Sequence, residues 1–336
     1  MLKVRLTFMA LVVLLATLSG VDSVFAQRHR DNWPRSVSEK RFSEWSEPVN
    51  LGAKVNSAFN DWFPAISPNG LSLYISSNRP GGFGAADIWV SQRASLNDPW
   101  GEPMNLGSTV NTSMVEFMPN FSPDGHWMFF TSDRPGGCGN HDTWVSWRED
   151  PENDFAWEAP MNLGCTINSE THERAPNYFE DPKTGLITLY FVSARLDGLG
   201  DFDIYASMLR ADGTFGAPAL VWELSTPETD FRNAIRRDGL EMILYSNRPD
   251  GFGEFDLWVA TRETTRDAWS RPVNLGATVN SENEDRGPAL SRDGTTLYFS
   301  SNRPGGHGMQ DLYVTTRKPL PEVKPPKNPR APHSSW

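Results

Sequence analysis

Three kinds of charged side chain recur together in five stretches of the chain, and their types and spacing could support binding or catalysis. The arginines are Arg79, Arg134, Arg195, Arg248 and Arg303. An acidic residue precedes each arginine, namely Asp61, Glu116, Glu173, Asp230 and Asp285. An aspartate follows each one at a constant distance, namely Asp87, Asp142, Asp203, Asp256 and Asp311. Clustered carboxylates could bind a cation or a sugar, whereas an arginine fork between two carboxylates would tie structural elements together.

Each arginine belongs to a repeated stretch whose first copy is S-S-N-R-P-G-G-F-G-A-A-D-I-W-V, residues 76–90. Successive copies of the arginine lie 53 to 61 residues apart, a period typical of propellers, solenoids and other repeat arrays. Each unit has four short strand-like runs separated by Gly, Pro, Asn and Asp, and it shows no helical periodicity. Five units of four antiparallel strands predict an all-β fold, a five-bladed β-propeller.

The two ends of the repeat predict how the ring closes. Residues 45–52 (W-S-E-P-V-N-L-G) form a fourth-strand sequence without three preceding strands, and the last unit stops after its third strand at Arg317. We therefore expect residues 44–51 to pair with residues 310–317, which removes an exposed strand edge. The predicted regions are a signal peptide (1–26), a flexible lead-in (27–43), the propeller (44–317) and a proline-rich, disordered tail (318–336).

The units resemble TolB-type (WD-like) β-propeller repeats, which also occur in OmpA-linked envelope proteins. The resemblance is carried by S-P-D-G-H-W-M-F-F-T-S-D-R-P-G-G (122–137), D-I-W-V (87–90) and P-V-N-L-G-A-T-V-N-S (272–281). It covers residues 44–317 and implies a propeller of the cell envelope. TolB has an additional α/β domain that this sequence does not contain, so the resemblance implies no particular partner.

The recurring charges are expected to lie on one face of the ring. In an up-and-down blade, the loop between the second and third strands and the connection to the next blade lie at the same end. Fivefold repetition favours a structural ion network, because catalysis needs one arrangement and not five. We expect each motif arginine to be buried between its two carboxylates. The neighbouring glycines are interpreted as tight-turn residues, since no helix follows them to complete a phosphate site.

Positions at which the copies differ are the candidates for a ligand-binding site. After the first acid, the copies read Trp62, Phe117, Arg174, Phe231 and Arg286. Within the glycine-rich loop, they read Phe83, Cys138, Leu199, Phe252 and His307. Aromatic rings mixed with cations suit stacking on sugars and pairing with carboxylates, and the alternative is packing between blades at the rim. We predict that the aromatic, arginine and histidine side chains of both sets bind ligand at this face.

The two cysteines, Cys138 and Cys165, fall at one end of the predicted second blade. In an exported protein the favoured interpretation is a disulfide, which would stabilise the fold by ~2–4 kcal/mol. The alternative is a metal site formed with His141 and His172, although the spacing matches no known zinc motif. We expect no metal and no cofactor.

Composition and the N-terminus indicate an exported, acidic protein. Residues 1–26 contain Lys3 and Arg5, an apolar run from 11 to 18 and small residues before a cleavage point after Ala26. The formal net charge of −11 disfavours nucleic acid and anionic membranes as partners. We expect a periplasmic or secreted monomer, with no membrane span after cleavage and with a protein or glycan of the cell envelope as its partner.

Three classes of function are compatible with these patterns. The favoured one is a non-catalytic binding or scaffolding propeller that recognises a protein or glycan at the loop face. The alternative is a polysaccharide-active enzyme, a glycosidase or lyase with its site at the channel mouth, but no unique acid pair stands out from the repeat. A peptidase-associated propeller is the third, and the sequence has neither a hydrolase domain nor a G-x-S-x-G motif. Catalysis is thus left undecided, and the sequence leans against it.

Overall fold

The protein folds as a five-bladed β-propeller, as the repeat predicts. The structure, a computed structural model, describes residues 42–321. Within that range the chain forms five four-stranded antiparallel sheets, each of which is one blade. The predicted signal peptide (1–26), nearly all of the lead-in (27–43) and most of the tail (318–336) lie outside the described residues. No helix in the described part of the chain is long and apolar enough to cross a membrane.

The first two strands of each blade form its inner half. The innermost strands are β2 (Asp61–Ile66), β6 (Glu116–Phe121), β10 (Glu173–Glu180), β14 (Asp230–Ile235) and β18 (Asp285–Leu290). The second strands are β3 (Ser72–Ser77), β7 (Trp127–Ser132), β11 (Ile187–Ser193), β15 (Glu241–Ser246) and β19 (Thr296–Ser301). All six residues of β3 and of β15 are buried, because both faces of a blade are covered by neighbouring blades.

The last two strands form the outer half. The third strands are β4 (Asp87–Gln92), β8 (Asp142–Trp147), β12 (Asp203–Met208), β16 (Asp256–Thr261) and β20 (Asp311–Thr316). The outer strands are only two residues long: β1 (Val49–Asn50), β5 (Met104–Asn105), β9 (Met161–Asn162), β13 (Ala219–Leu220) and β17 (Val273–Asn274). Short outer strands leave little exposed edge for pairing with another chain.

The ring closes between the beginning and the end of the repeat, as predicted. Strand β1 pairs antiparallel with β20, and Val49 lies opposite Val314. Backbone hydrogen bonds on either side extend the pairing, from Ser46 N to Thr316 O at 2.8 Å and from Leu51 N to Leu312 O at 3.0 Å. The N-terminal segment therefore supplies the fourth strand of the last blade.

The innermost strands carry a bulge where they face the channel, and one blade departs from the others. In four blades the pairing register shifts across two residues, and the first of them has positive φ: Phe63 (53°), Met118 (57°), Ala175 (51°) and Gly287 (62°). In β14 the shift spans one residue, between Phe231 and Asn233. The side chain at this channel position is Arg232, so blade four places a long cation where the other blades place apolar residues or glycine.

Candidate functional site

Each motif arginine ties its blade to the connection that enters it. Arg79 forms an ion pair with the fully buried Asp61, and its Nη2 donates to the backbone oxygen of Val55 at 2.7 Å. Asp61 also accepts from the Ser77 hydroxyl at 2.6 Å. The corresponding pairs are Arg134–Glu116, Arg195–Glu173, Arg248–Asp230 and Arg303–Asp285. These arginine side chains are only 8 to 16% exposed, so the pairs are structural and leave no open site.

The acid after each arginine has a different role from the one expected. Asp87 accepts hydrogen bonds from the backbone N–H groups of Phe83 (2.5 Å) and Gly84 (3.1 Å) and from Nδ2 of Asn105 (2.8 Å). It forms no ion pair with Arg79. The sequence-based expectation that the arginine bridges two carboxylates is therefore wrong, because the second carboxylate is used to fix the glycine-rich loop.

A cavity of about 670 Å³ opens at the end of the channel that carries the motif loops. Five candidate residues on the inner strands all line it: Trp62, Phe117, Arg174, Phe231 and Arg286. We call this space the mouth cavity. It lies in the size range of small-molecule sites. The inner-strand half of the predicted ligand-binding set therefore converges on one space.

The candidates in the glycine-rich loops do not reach this cavity. Phe83 and Phe252 are 51% and 49% exposed, and His307 is also exposed. Their backbone N–H groups point inward to Asp87, Asp256 and Asp311, so their side chains turn to solvent. The prediction that these loop side chains share one ligand-binding site with the inner-strand residues is therefore wrong.

Nine rings follow one another around four of the five blades. In order they are Trp62, Phe63, Phe117, His141, His172, Phe202, Phe231, Tyr245 and Phe255, with neighbouring centroids 4.9 to 6.1 Å apart. We call this set the aromatic arc. All of its members except His141 line the mouth cavity. Rings at such spacings form a continuous apolar wall on which flat, partly apolar ligands can stack.

The fifth blade interrupts the arc with polar groups. Arg286 Nη2 donates to Glu284 Oε1 at 2.6 Å, and Gln310 Nε2 donates to Glu284 Oε2 at 2.7 Å. Burial raises the pKa of Glu284 against the opposing charge of Arg286, and a hydrogen bond with the nearby Glu254 raises it further. Glu284 is thus an acid outside the fivefold pattern that can hold its proton at a higher pH than an ordinary glutamate.

Two histidines of the aromatic arc form a pair beside Arg174. Their Nδ1 atoms are 2.8 Å apart, so one ring donates to the other. Arg174 Nη2 lies 3.2 Å from Nδ1 of His141. Burial, and next the charge of Arg174, lowers the pKa of both rings, that of His141 to about 4. Both imidazoles are consequently neutral at pH 7, and His172 can accept a proton in the cavity.

Two residues that the sequence-based reasoning missed lie in the channel, Tyr245 on the cavity lining and Arg232 deeper inside. Tyr245 is buried against the cavity, and burial raises the pKa of its hydroxyl. Its signal is Y-S-N-R in the fourth unit, where the other units have Ser, Thr or Val before the serine. Arg232 is signalled by D-F-R-N, where the other four units have proline at the fourth position of the strand.

The cysteines join the second blade to the connection that leaves it. Cys138 and Cys165 form a disulfide with an S–S distance of 2.04 Å. Their sulfurs are therefore not available as ligands to a metal held with His141 and His172.

Comparison by sequence finds no matching family model and no similar curated protein. Comparison by structure finds an α-L-arabinofuranosidase from Lactobacillus brevis, with a TM-score of 0.54 and 14% sequence identity. The match covers 82% of this chain and 100% of that chain. A GH43_1 enzyme from Xanthomonas citri also has TM-score 0.54 and 14% identity over 82% of this chain and 91% of that one. A protein of unknown function from Dyadobacter fermentans matches with a TM-score of 0.51 and 12% sequence identity, over 82% of this chain and 99% of that one.

At these identities the likeness establishes the propeller fold. The non-catalytic scaffold favoured by the sequence is nevertheless wrong against these comparisons, because the named enzymes of this fold include an arabinofuranosidase and a GH43 enzyme.

Proposed function

We propose that this protein is a polysaccharide-active enzyme and that the mouth cavity is its active site. The observation that carries the proposal is the asymmetry of the mouth, where an aromatic arc over four blades faces a polar segment on the fifth. Aromatic rings bind the apolar faces of sugar rings, and the polar segment supplies groups that transfer protons. A fivefold structural element would not need this asymmetry.

Hydrolysis is the first reaction that the site supports. It needs two carboxyl groups in different environments, one protonated and one ionised. Glu284, which accepts a hydrogen bond from the cavity-lining Arg286 and whose pKa is raised mainly by burial, is the proposed acid that protonates the glycosidic oxygen. Asp201 is the carboxylate on the cavity lining and is the proposed base for the attacking water. The bond from the anomeric carbon to the leaving oxygen breaks, and the water oxygen takes its place.

β-Elimination is the second candidate reaction, and the neutral His172 beside Arg174 favours it. In a sugar that bears a carboxylate, His172 would remove the proton of the ring carbon that carries the carboxylate. The electron pair forms a double bond to the neighbouring ring carbon, the bond from that neighbouring carbon to the glycosidic oxygen breaks, and the oxygen takes a proton from Tyr245 or water. Tyr245 keeps its proton at neutral pH because burial raises its pKa.

A panel of plant, algal and bacterial polysaccharides tests the proposal by release of reducing ends and by product mass. Hydrolysis adds one water per cleaved bond, whereas elimination adds none. We expect Asp201→Asn or Glu284→Gln to lower hydrolytic turnover roughly 10²- to 10⁴-fold, and His172→Gln to do so for elimination. Glu102→Gln, at an exposed position, is the matched control. Absence of products from the whole panel with folded wild-type protein would contradict the proposal.

The family relationship, the location and the partners are further proposals. The repeat motifs support a TolB-type relationship, and the first 26 residues support export to the periplasm or the medium. A glycan of the cell envelope or its surroundings is the partner that fits the proposed activity. Fractionation of expressing cells and chromatography with light scattering test the location and the monomeric state.

A further inference from the structure

Three arginines of the inner strands lie in or below the mouth cavity, and one of them, Arg286, is paired with Glu284. Arg174 and Arg286 line the mouth cavity, and Arg232 lies deeper in the channel. Neither Arg174 nor Arg232 forms an ion pair with a carboxylate among residues 42–321, whereas all five motif arginines do. In a chain with a formal net charge of −11, two arginines without a carboxylate partner at one channel, where the lining of the mouth cavity has the single carboxylate Asp201, indicate an anionic ligand.

Arg232 crosses the channel from blade four to the opposite side. Its Nη2 donates to the backbone oxygens of Pro64 at 2.6 Å and Pro119 at 3.1 Å, in blades one and two. Its Nη1 has no hydrogen-bond partner among the described residues, and burial lowers its pKa to about 9. A buried cation with only neutral partners is costly, and its field is poorly screened in the interior. It therefore makes the floor of the mouth cavity electropositive.

Arg174 and Arg286 are held by rings. The Arg174 guanidinium lies 5.1 Å from the centroid of Phe202, and that of Arg286 lies 4.1 Å from that of Phe255. The Nε atoms of both are without hydrogen-bond partners among residues 42–321. A guanidinium that stacks through its face donates through its edge, in a fork that matches a carboxylate. The charges of all three arginines lower the pKa of Tyr245, against the larger opposite effect of burial.

We propose that the mouth cavity binds a sugar that carries a carboxylate, a uronate residue of an acidic polysaccharide. The carboxylate accepts hydrogen bonds from Arg174 and Arg286 above the charge of Arg232, and the sugar ring stacks on the aromatic arc. The part of the inference that the ligand is a polysaccharide rests on the proposed function. The part that the ligand carries a carboxylate rests on the three arginines alone. It also supplies the carboxylate that β-elimination requires.

Calorimetric titration with uronate oligosaccharides tests the inference. The matched ligands are the same oligosaccharides with their carboxyl groups reduced to alcohols, which keep the ring, length and linkage. We expect reduction to weaken binding roughly 10- to 100-fold, as for loss of charge-assisted hydrogen bonds. Arg174→Gln should weaken binding of the uronate ligand to a similar extent and leave binding of the reduced ligand unchanged.

Control variants separate the site from general charge and from folding. Arg237→Gln removes an exposed arginine at the other end of the channel and should bind as the wild type does. Arg286→Gln is the second test variant, because its side chain is 25% exposed and its replacement leaves the channel floor intact. Equal binding of the two ligands, or unchanged binding by both variants, would overturn the inference. Tighter binding of a sulfated oligosaccharide of equal length would overturn the assignment to a carboxylate.

The outcomes distinguish this inference from the proposed function. If the uronate ligand binds through Arg174 while no polysaccharide is cleaved, the carboxylate site stands and the enzyme is contradicted. If an acidic polysaccharide is cleaved equally by the wild type and by Arg174→Gln, the enzyme stands and the carboxylate site is contradicted.

Discussion

The motif arginines and the inner-strand arginines Arg174, Arg232 and Arg286, which we call the channel arginines, belong to the same ring but differ in what surrounds them. Arg79 and its four equivalents each face a buried carboxylate and a backbone oxygen. Arg174 and Arg232 face aromatic rings, a histidine and carbonyl groups, without an ion pair in the described part of the chain. The comparison teaches that each fivefold charge is satisfied within the fold, whereas two charges that break the repeat, those of Arg174 and Arg232, have no carboxylate partner in the described residues.

The largest effect is expected when a motif arginine is removed. Arg79→Ala leaves the fully buried Asp61 without its cation and should lower the free energy of unfolding by ~3–5 kcal/mol. Urea unfolding followed by tryptophan fluorescence measures this change, with the exposed Arg237→Ala as control. Equal stability of the two variants would remove the distinction between the two sets of arginines.

The disulfide is a break in the repeat that serves the scaffold. Cys138 and Cys165 close a 27-residue separation within one end of blade two, so Cys138→Ala/Cys165→Ala should lower the free energy of unfolding by ~2–4 kcal/mol. Ligand binding at the mouth should be unchanged, because neither cysteine lines the cavity. Urea midpoints and calorimetry together check both expectations, and a loss of binding without a loss of stability would count against them.

The histidine pair should make stability depend on pH. The pKa of His141 is lowered to about 4, chiefly by burial and also by Arg174 and His172, against the weaker opposite effect of Asp133. Because the unfolded chain binds this proton near pH 6.5, stability is full above that pH and declines as pH falls toward 4. We expect a loss of about 1 kcal/mol after solvent screening.

Comparison with His141→Gln isolates this contribution, since carboxylates in both proteins titrate alike in the same range. The difference between their urea midpoints should change between pH 6.5 and pH 4. An unchanged difference would mean that the pKa of His141 is not lowered in the folded protein.

The smallest effect on stability is expected at a channel arginine. Arg174→Met removes a partly buried cation that has no carboxylate partner in the described residues, so stability should stay within about 1 kcal/mol of the wild type or rise. Thermal unfolding measures this change. A loss as large as that of Arg79→Ala would show that Arg174 belongs to the scaffold after all.

The fold was predictable because five copies of one pattern report the same constraint. The repeat begins with a lone fourth strand and ends with a unit that lacks its fourth strand. This located the closing strand near Val49. The role of Asp87 was not predictable from spacing. An aspartate at this position could either pair with Arg79 or accept hydrogen bonds from the N–H groups of the loop.

The site was predictable only in part. The residues that follow the first acid of each unit were found because side chains alternate between the two faces of a strand and the repeat fixes the direction of that strand. Arg232 and Tyr245 were missed because the bulge and the depth of the cavity decide which side chains face the channel, and neither feature appears in residue spacing. Phe83 was misplaced because the hydrogen bonds of its own backbone turn its side chain outward.

The arginine that bridges the channel also decides how a polymer can approach. With Arg232 anchored on Pro64 and Pro119 in the opposite blades, the mouth is a pit with a floor and not a tunnel. Under the proposed function, a polysaccharide would not be threaded through the ring and processed along its length. It would enter with a chain end, a side branch or a sharp bend, and it would leave by the way it came.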